Sequence, residues 1–234
     1  MDDDLAKVNP SLLRGAATGC PRRLALEHIG QRGTRQPDTR FRISDAFDEH
    51  ARLAQLELGV PRADAFSGSA EFTPEERALY EHAVGWYLAI YGKTVARALD
   101  LGDDRWARPR PDLGVRLTSR PPLVFESDGP LELRVLRYNG RPPPADLLAD
   151  EEIAIDVLRF AHLAPGHLRI GVSDVVRGEH HGIELDPTEI VPQLDDWLGD
   201  AIGALRAAVD KDSPRIGPDC GWCTFVAGCK AHVA

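Results

Sequence analysis

The sequence predicts an α/β fold: one domain, with a small mixed sheet flanked by helices. Three features of the apolar pattern lead there. Residues 9–100 carry apolar positions at helical spacing, residues 113–136 switch to a period of two in three short runs, and helical spacing returns at 150–162 and from 186 onward. A length of 234 residues suits one large domain with a substantial core. Residues 1–234 are therefore read as one unit: a helical part over about 9–100, a sheet core over about 113–185, and a C-terminal helix with a cysteine-bearing tail over 186–234.

Each element has a local reason. Asn9-Pro10 sets a cap residue before a proline at the first helical position, and Leu12, Leu13, Ala16, Ala17 and Cys20 follow at helical spacing until Pro21. Residues 30–42 hold glycine, proline and many charges and read as a loop. From Ser44 to Leu58 the helical period returns through Phe47, Ala51, Ala54 and Leu58; residues 59–71 read as a second loop. Thr73 and Glu76 have capping-box spacing around Pro74, and Leu79, Ala83, Trp86 and Ile90 form one stripe of a helix expected to reach about Leu99. Val115 to Thr118, Leu123 to Glu126 and Leu131 to Leu136 read as strands. The last two are joined by Ser127-Asp128-Gly129-Pro130, whose Asp-Gly step suits a hairpin. Asp150 to His162 reads as a helix, Leu168 to Val176 as a strand, Gly178 to Gly182 as a turn carrying His180 and His181 exposed, and Ile183 to Leu185 as a short strand. Asp186-Pro187-Thr188-Glu189 then opens a long helix through Leu194, Trp197, Ala201 and Leu205.

Charge and composition exclude some functions. No apolar run approaches the roughly 20 residues that cross a bilayer, so no membrane partner is expected. The start, Met1-Asp2-Asp3-Asp4, is acidic where a secretory leader is basic and then apolar; the expected location is the cytoplasm, with reduced cysteines. A net charge of −9 argues against general coating of nucleic acid, so any such contact requires a local patch. Positive charge is almost all arginine, 24 residues against Lys7, Lys93, Lys211 and Lys230. The basic stretches are Arg14 to Arg42, with seven arginines against Glu27 and Asp38, and Arg105 to Arg120, with five against Asp112.

The four cysteines form one pattern: Cys20 near the start, then Cys220, Cys223 and Cys229 in a C-x2-C-x5-C tail. Three thiolates within ten residues can wrap a soft metal centre, and Cys20 supplies a fourth ligand if the chain ends meet. Four sulfurs suit either a structural zinc or a 4Fe-4S cluster. Zinc sites more often come as two close pairs, so the cluster is preferred over zinc.

Asn9-Pro10-Ser11-Leu12-Leu13, Cys20-Pro21-Arg22-Arg23 and the C-x2-C-x5-C ending together resemble the iron-sulfur branch of the PD-(D/E)XK nuclease superfamily, which includes AddB helicase-nucleases and CRISPR-associated RecB-like exonucleases. The resemblance spans nearly the whole chain, and the cysteine framework is its specific part. It implies a 4Fe-4S cluster on Cys20, Cys220, Cys223 and Cys229 fastening the ends of the domain together. It also implies metal-assisted phosphodiester hydrolysis, in which carboxylates hold divalent ions and a strand lysine helps activate water.

The reactive residues depart from that pattern. His50 stands where the family places a helical histidine. Pro122, however, stands where a metal-binding aspartate belongs, Val135 where the second carboxylate belongs, and Arg137 where the lysine belongs; Glu152 to Asp156 replaces a Gln-x-x-x-Tyr element. Valine cannot ligate a hard cation, and arginine stays protonated: it can hold a phosphate but cannot act as a general base. Glu126, Asp128 and Glu132 are the carboxylates nearby and read as solvated charges beside a hairpin.

The resulting expectation is a catalytically degenerate relative, kept as a nucleic-acid-binding or scaffolding subunit for DNA or for a helicase-like partner. His50 and Arg137 would be vestiges of the site, and Arg22, Arg23, Arg120 and Arg137 the nucleic-acid contacts. Two alternatives stand beside it: an active Mg- or Mn-dependent nuclease rearranged around His50, Glu126 and Asp128, and a protein-interaction module that never touches nucleic acid.

Overall fold

The computed structural model describes residues 5–18, 20, 21, 23, 39–67, 72–102, 106–127, 129–140, 142–164 and 166–211. Eight strands and five α-helices are described: β1 (Ala6–Val8), α1 (Pro10–Thr18), α2 (Thr39–Ala54), α3 (Pro74–Tyr91), β2 (Ala96–Ala98), β3 (Ala107–Arg110), β4 (Val115–Thr118), β5 (Leu123–Ser127), β6 (Leu131–Arg137), α4 (Glu151–Phe160), β7 (Leu168–Asp174), β8 (Glu179–Leu185) and α5 (Pro187–Lys211). None of the described helices is long and apolar enough to cross a membrane.

The mixed α/β class is present, but the strands form two sheets where one was expected. A five-stranded sheet runs in the order β2-β5-β6-β7-β8, and a three-stranded one in the order β1-β4-β3. Strand β4 leaves the central sheet because it pairs instead with β1 in parallel and β3 antiparallel. Pro121 and Pro122 follow it, and without amide protons they cannot extend a ladder from β4 into β5. The β5–β6 hairpin forms as its turn chemistry predicts, antiparallel from Leu123 opposite Arg134 to Glu126 opposite Leu131. Strands β6 and β7 are parallel, in register from Leu131–Leu168 to Arg137–Asp174, so the chain crosses over through α4 to join them.

Local chemistry explains most helix starts. Asn9 Oδ1 accepts from the Leu12 amide, Thr73 and Glu76 close the capping box of α3, and Asp150 Oδ1 accepts from the amides of Glu152 and Ile153 at the start of α4. Helix α3 ends at Tyr91, well short of Leu99. Gly92 donates to Leu88 O, and Ala96–Ala98 then pairs with Phe125–Ser127 on one edge while Ala96 bridges to Gly59 on the other. Partners on both edges override alanine's helical preference. Helix α2 begins at Thr39, inside the stretch read as loop, and β8 begins at Glu179, so His180 and His181 lie on a strand; both are exposed.

Both faces of the central sheet are covered. Leu131, Leu133 and Val135 join the apolar layer beneath α1, α4 and α5, with Ile153, Val157, Phe160, Val172 and Leu198. The other face lies against α2 and α3 in an aromatic layer of Phe47, Phe66, Tyr80, Tyr87, Tyr91, Phe125 and Tyr138. Glu132 and Arg134 point into that layer by strand alternation. They are 3% and 0% exposed, which corrects the reading of Glu132 as a solvated charge: the face expected to be wet is packed.

Candidate functional site: buried ion pairs at the end of the central sheet

The described charges concentrate where β4 and β6 end and α4 begins. Arg137, the last residue of β6, donates through Nη2 to Asp150 Oδ2 at 2.9 Å and to Glu152 Oε2 at 3.4 Å. Arg137 and Asp150 are both buried. Asp150 therefore does two jobs, one oxygen capping α4 and the other holding Arg137. Burial pushes the Glu152 carboxyl up and Arg137 beside it pulls the other way. One turn along α4, Asp156 sits on the same helix face as Glu152. Its Oδ1 accepts from Ser119 Oγ at 2.5 Å and from Arg159 Nη1 at 3.4 Å, and Arg159 also donates to Ser119 Oγ. Complete burial pushes the Asp156 carboxyl up to about 8, against the pull of Ser119 and Arg159. Among the described residues Asp156 Oδ2 has no hydrogen-bond partner.

The structure locates the other predicted residues as follows. Arg120 bonds Asp45 at 3.0 Å and Asp48 at 2.9 Å, both on α2. His50 Nδ1 is hydrogen-bonded to Tyr80 Oη. Glu126 is exposed and paired with Arg97 at 2.5 Å, at the opposite end of β6 from Arg137, roughly 20 Å along the strand. The structure therefore does not bring Glu126 to Arg137. Pro122 and Val135 are buried. Cys20 and Arg23 are half-buried just beyond α1. Arg22, Asp128, Cys220, Cys223 and Cys229 lie outside the described residues.

A second buried cation went unanticipated. Arg134 donates to Glu132 at 2.6 Å, to Gln55 Oε1 at 2.8 Å and to Tyr87 Oη at 2.5 Å. Its guanidinium carbon lies 4.0 Å from the Phe125 ring centre and 4.1 Å from that of Tyr91. Burial pushes the Tyr87 hydroxyl up to about 12 although Arg134 pulls it down. The available signal was Glu132 and Arg134 alternating with leucines in a strand that helices cover on both sides.

Chemically, the cluster at the sheet end is a set of buried ion pairs in which two arginines are held by three carboxylates. Arginine stays protonated, so neither Arg137 nor Arg159 can take a proton from water. Among the described residues no three histidine, cysteine or carboxylate side chains are grouped to hold a metal ion. No protein-family model matches the chain, and no curated protein shows significant similarity to it.

Proposed function

We propose that this chain is a non-catalytic relative of the iron-sulfur RecB-like nucleases, acting as a scaffolding subunit. The observation that carries the reading is Arg137. It stands at the strand position where the resemblance calls for a catalytic lysine, and its Nη2 is held by Asp150 and Glu152. The order hairpin, crossover helix α4 and parallel strand β7 is compatible with that nuclease core, while Pro122 and Val135 offer no oxygen to a hard cation. Scaffolding is preferred to nucleic-acid contact because Arg14, Arg42, Arg120 and Arg137 each face a carboxylate.

A 4Fe-4S cluster fits the donor set, since four thiolates suit a soft centre. Helix α1, which leads to Cys20, packs against α5, the helix that precedes the cysteine tail, and this supports the reading. Cys20, Cys220, Cys223 and Cys229 would hold the cluster, and its binding free energy would add to folding free energy.

The test is cleavage of single-stranded and duplex DNA with Mg²⁺ or Mn²⁺, with DNA retention measured alongside. The expected result is no metal-dependent cleavage and only weak retention. Cleavage abolished by His50→Ala would overturn the loss of catalysis; salt-sensitive DNA binding lost on replacing Arg22 and Arg23 would overturn the preference for scaffolding.

A further inference from the structure

We infer that the apolar face formed by the end of α2 and the segment 55–62 docks a second copy of this chain across a two-fold axis. Leu53, Leu56, Leu58 and Val60 line a groove of about 250 Å³ there, with Glu57 and Arg62 beside them. The antiparallel bridge between Gly59 and Ala96 adds Val95, which stands opposite Val60. Among the described residues, five of the nine large apolar side chains that are exposed belong to this one face, so they form a patch and not a scatter.

The face is held in place from beneath. Gln55 is buried; its Nε2 donates to Gly59 O at 2.8 Å and to Thr94 O at 3.2 Å, and its Oε1 accepts from Arg134 at 2.8 Å. The segment cannot turn its leucines inward without breaking that buried network. A surface held outward in advance loses little freedom on binding. The contact must be made by side chains, because Gly59 and Ala96 bond each other through both amides and both carbonyls and Ala98 N donates to Gln55 O. The outer edge of β2 is thereby covered and offers no ladder to an added strand.

Charge selects the occupant. Glu57 and Arg62 are exposed and line the same groove, yet neither has an ion-pair partner among the described residues. One anion and one cation leave the face without a net sign, so its field favours neither an acidic nor a basic partner. A two-fold contact sets one residue against a second and that second against the first. An apolar centre with one acid and one base beside it meets this requirement, with Glu57 of each copy paired to Arg62 of the other. A rim of single sign would repel its own copy, the more so in a chain of net charge −9. The proposal goes beyond the scaffold reading and rests on none of the cysteines.

Sedimentation equilibrium over about 1–100 µM chain, under anaerobic reducing conditions, tests it. The expected result is a reversible monomer–dimer equilibrium. Leu56→Ser/Leu58→Ser should weaken it at least about tenfold, as should Glu57→Arg and Arg62→Glu singly, since each substitution acts twice in a two-fold pair. An equimolar mixture of the Glu57→Arg and Arg62→Glu proteins should restore the dimer, because the two reversals complement each other across the axis. All four positions are exposed, and circular dichroism and Tm check that the variants fold. A protein that stays monomeric throughout overturns the proposal; if its anilinonaphthalenesulfonate fluorescence is also lost in the leucine variant, the face belongs to a different partner. Undiminished affinity in the leucine variant overturns it too, and so does a mixture no more dimeric than its components. Iron content and nuclease activity are read separately, so failure here leaves the functional proposal standing and the reverse also holds.

Discussion

Arg137 Nη2 lies 2.9 Å from Asp150 Oδ2, joining the last residue of β6 to the residue that caps α4. Both partners are buried, and the other oxygen of Asp150 holds the first amides of the helix. The contact thus couples the central sheet to its crossover helix through a single carboxylate.

Arg137→Met should be strongly destabilising. Removing one member of a buried pair leaves the other charge uncompensated, at a cost of about 3 kcal/mol or more. Urea unfolding measures it. Unchanged stability accompanied by reduced DNA retention would instead make Arg137 a surface contact.

Arg134 and Glu132 predict a non-additive pair. Arg134→Met alone leaves Glu132 buried and unpaired and should cost about 3–5 kcal/mol, whereas Arg134→Met/Glu132→Leu should recover most of that loss. A double variant no more stable than the single one, in the same unfolding assay, would show that the ion pair is not what the single substitution breaks.

Asp156 predicts a pH dependence. Its carboxyl titrates at about 8 in the fold and near 4 in the unfolded chain. Between those values the folded state binds the extra proton, so stability falls as pH rises from about 4 to about 8 and levels off above. Asp156→Asn should flatten that decline. Parallel Tm–pH curves for the two proteins over pH 5–9 would rule out Asp156 as the source.

Much of the architecture was legible because its chemistry is local. The cap at Asn9, the capping box at Thr73 and Glu76, and the β5–β6 hairpin pairing each act within a few residues and form as read. What escaped depends on distant partners. Ala6–Val8 and Ala107–Arg110 become strands by pairing with β4, and the Ala-Arg-Pro-Arg run shows no alternation to announce it. Glu132 and Arg134 looked like a wet strand face because alternation cannot reveal whether a second layer of helices covers it. The candidate site was legible only in part. Arg137 could be picked out in the sequence as a strand-end arginine, but its commitment to Asp150, thirteen residues on, appears only once α4 folds back over β6.

Gly171 predicts a steric rescue. A Cβ there would overlap the Tyr91 hydroxyl, which belongs to the aromatic layer under α3. Gly171→Ala should cost about 1–3 kcal/mol by overpacking, and adding Tyr91→Phe should return much of it. If thermal unfolding shows no recovery in the double variant, the close approach is not the cause.

The central claim is that a metal centre ties the two ends of a chain whose catalytic residues have been replaced. Iron and acid-labile sulfide in anaerobically purified protein test it most directly. About four of each per chain, with the colour lost on Cys223→Ala, is the predicted result. A colourless protein containing neither iron nor zinc would contradict the account.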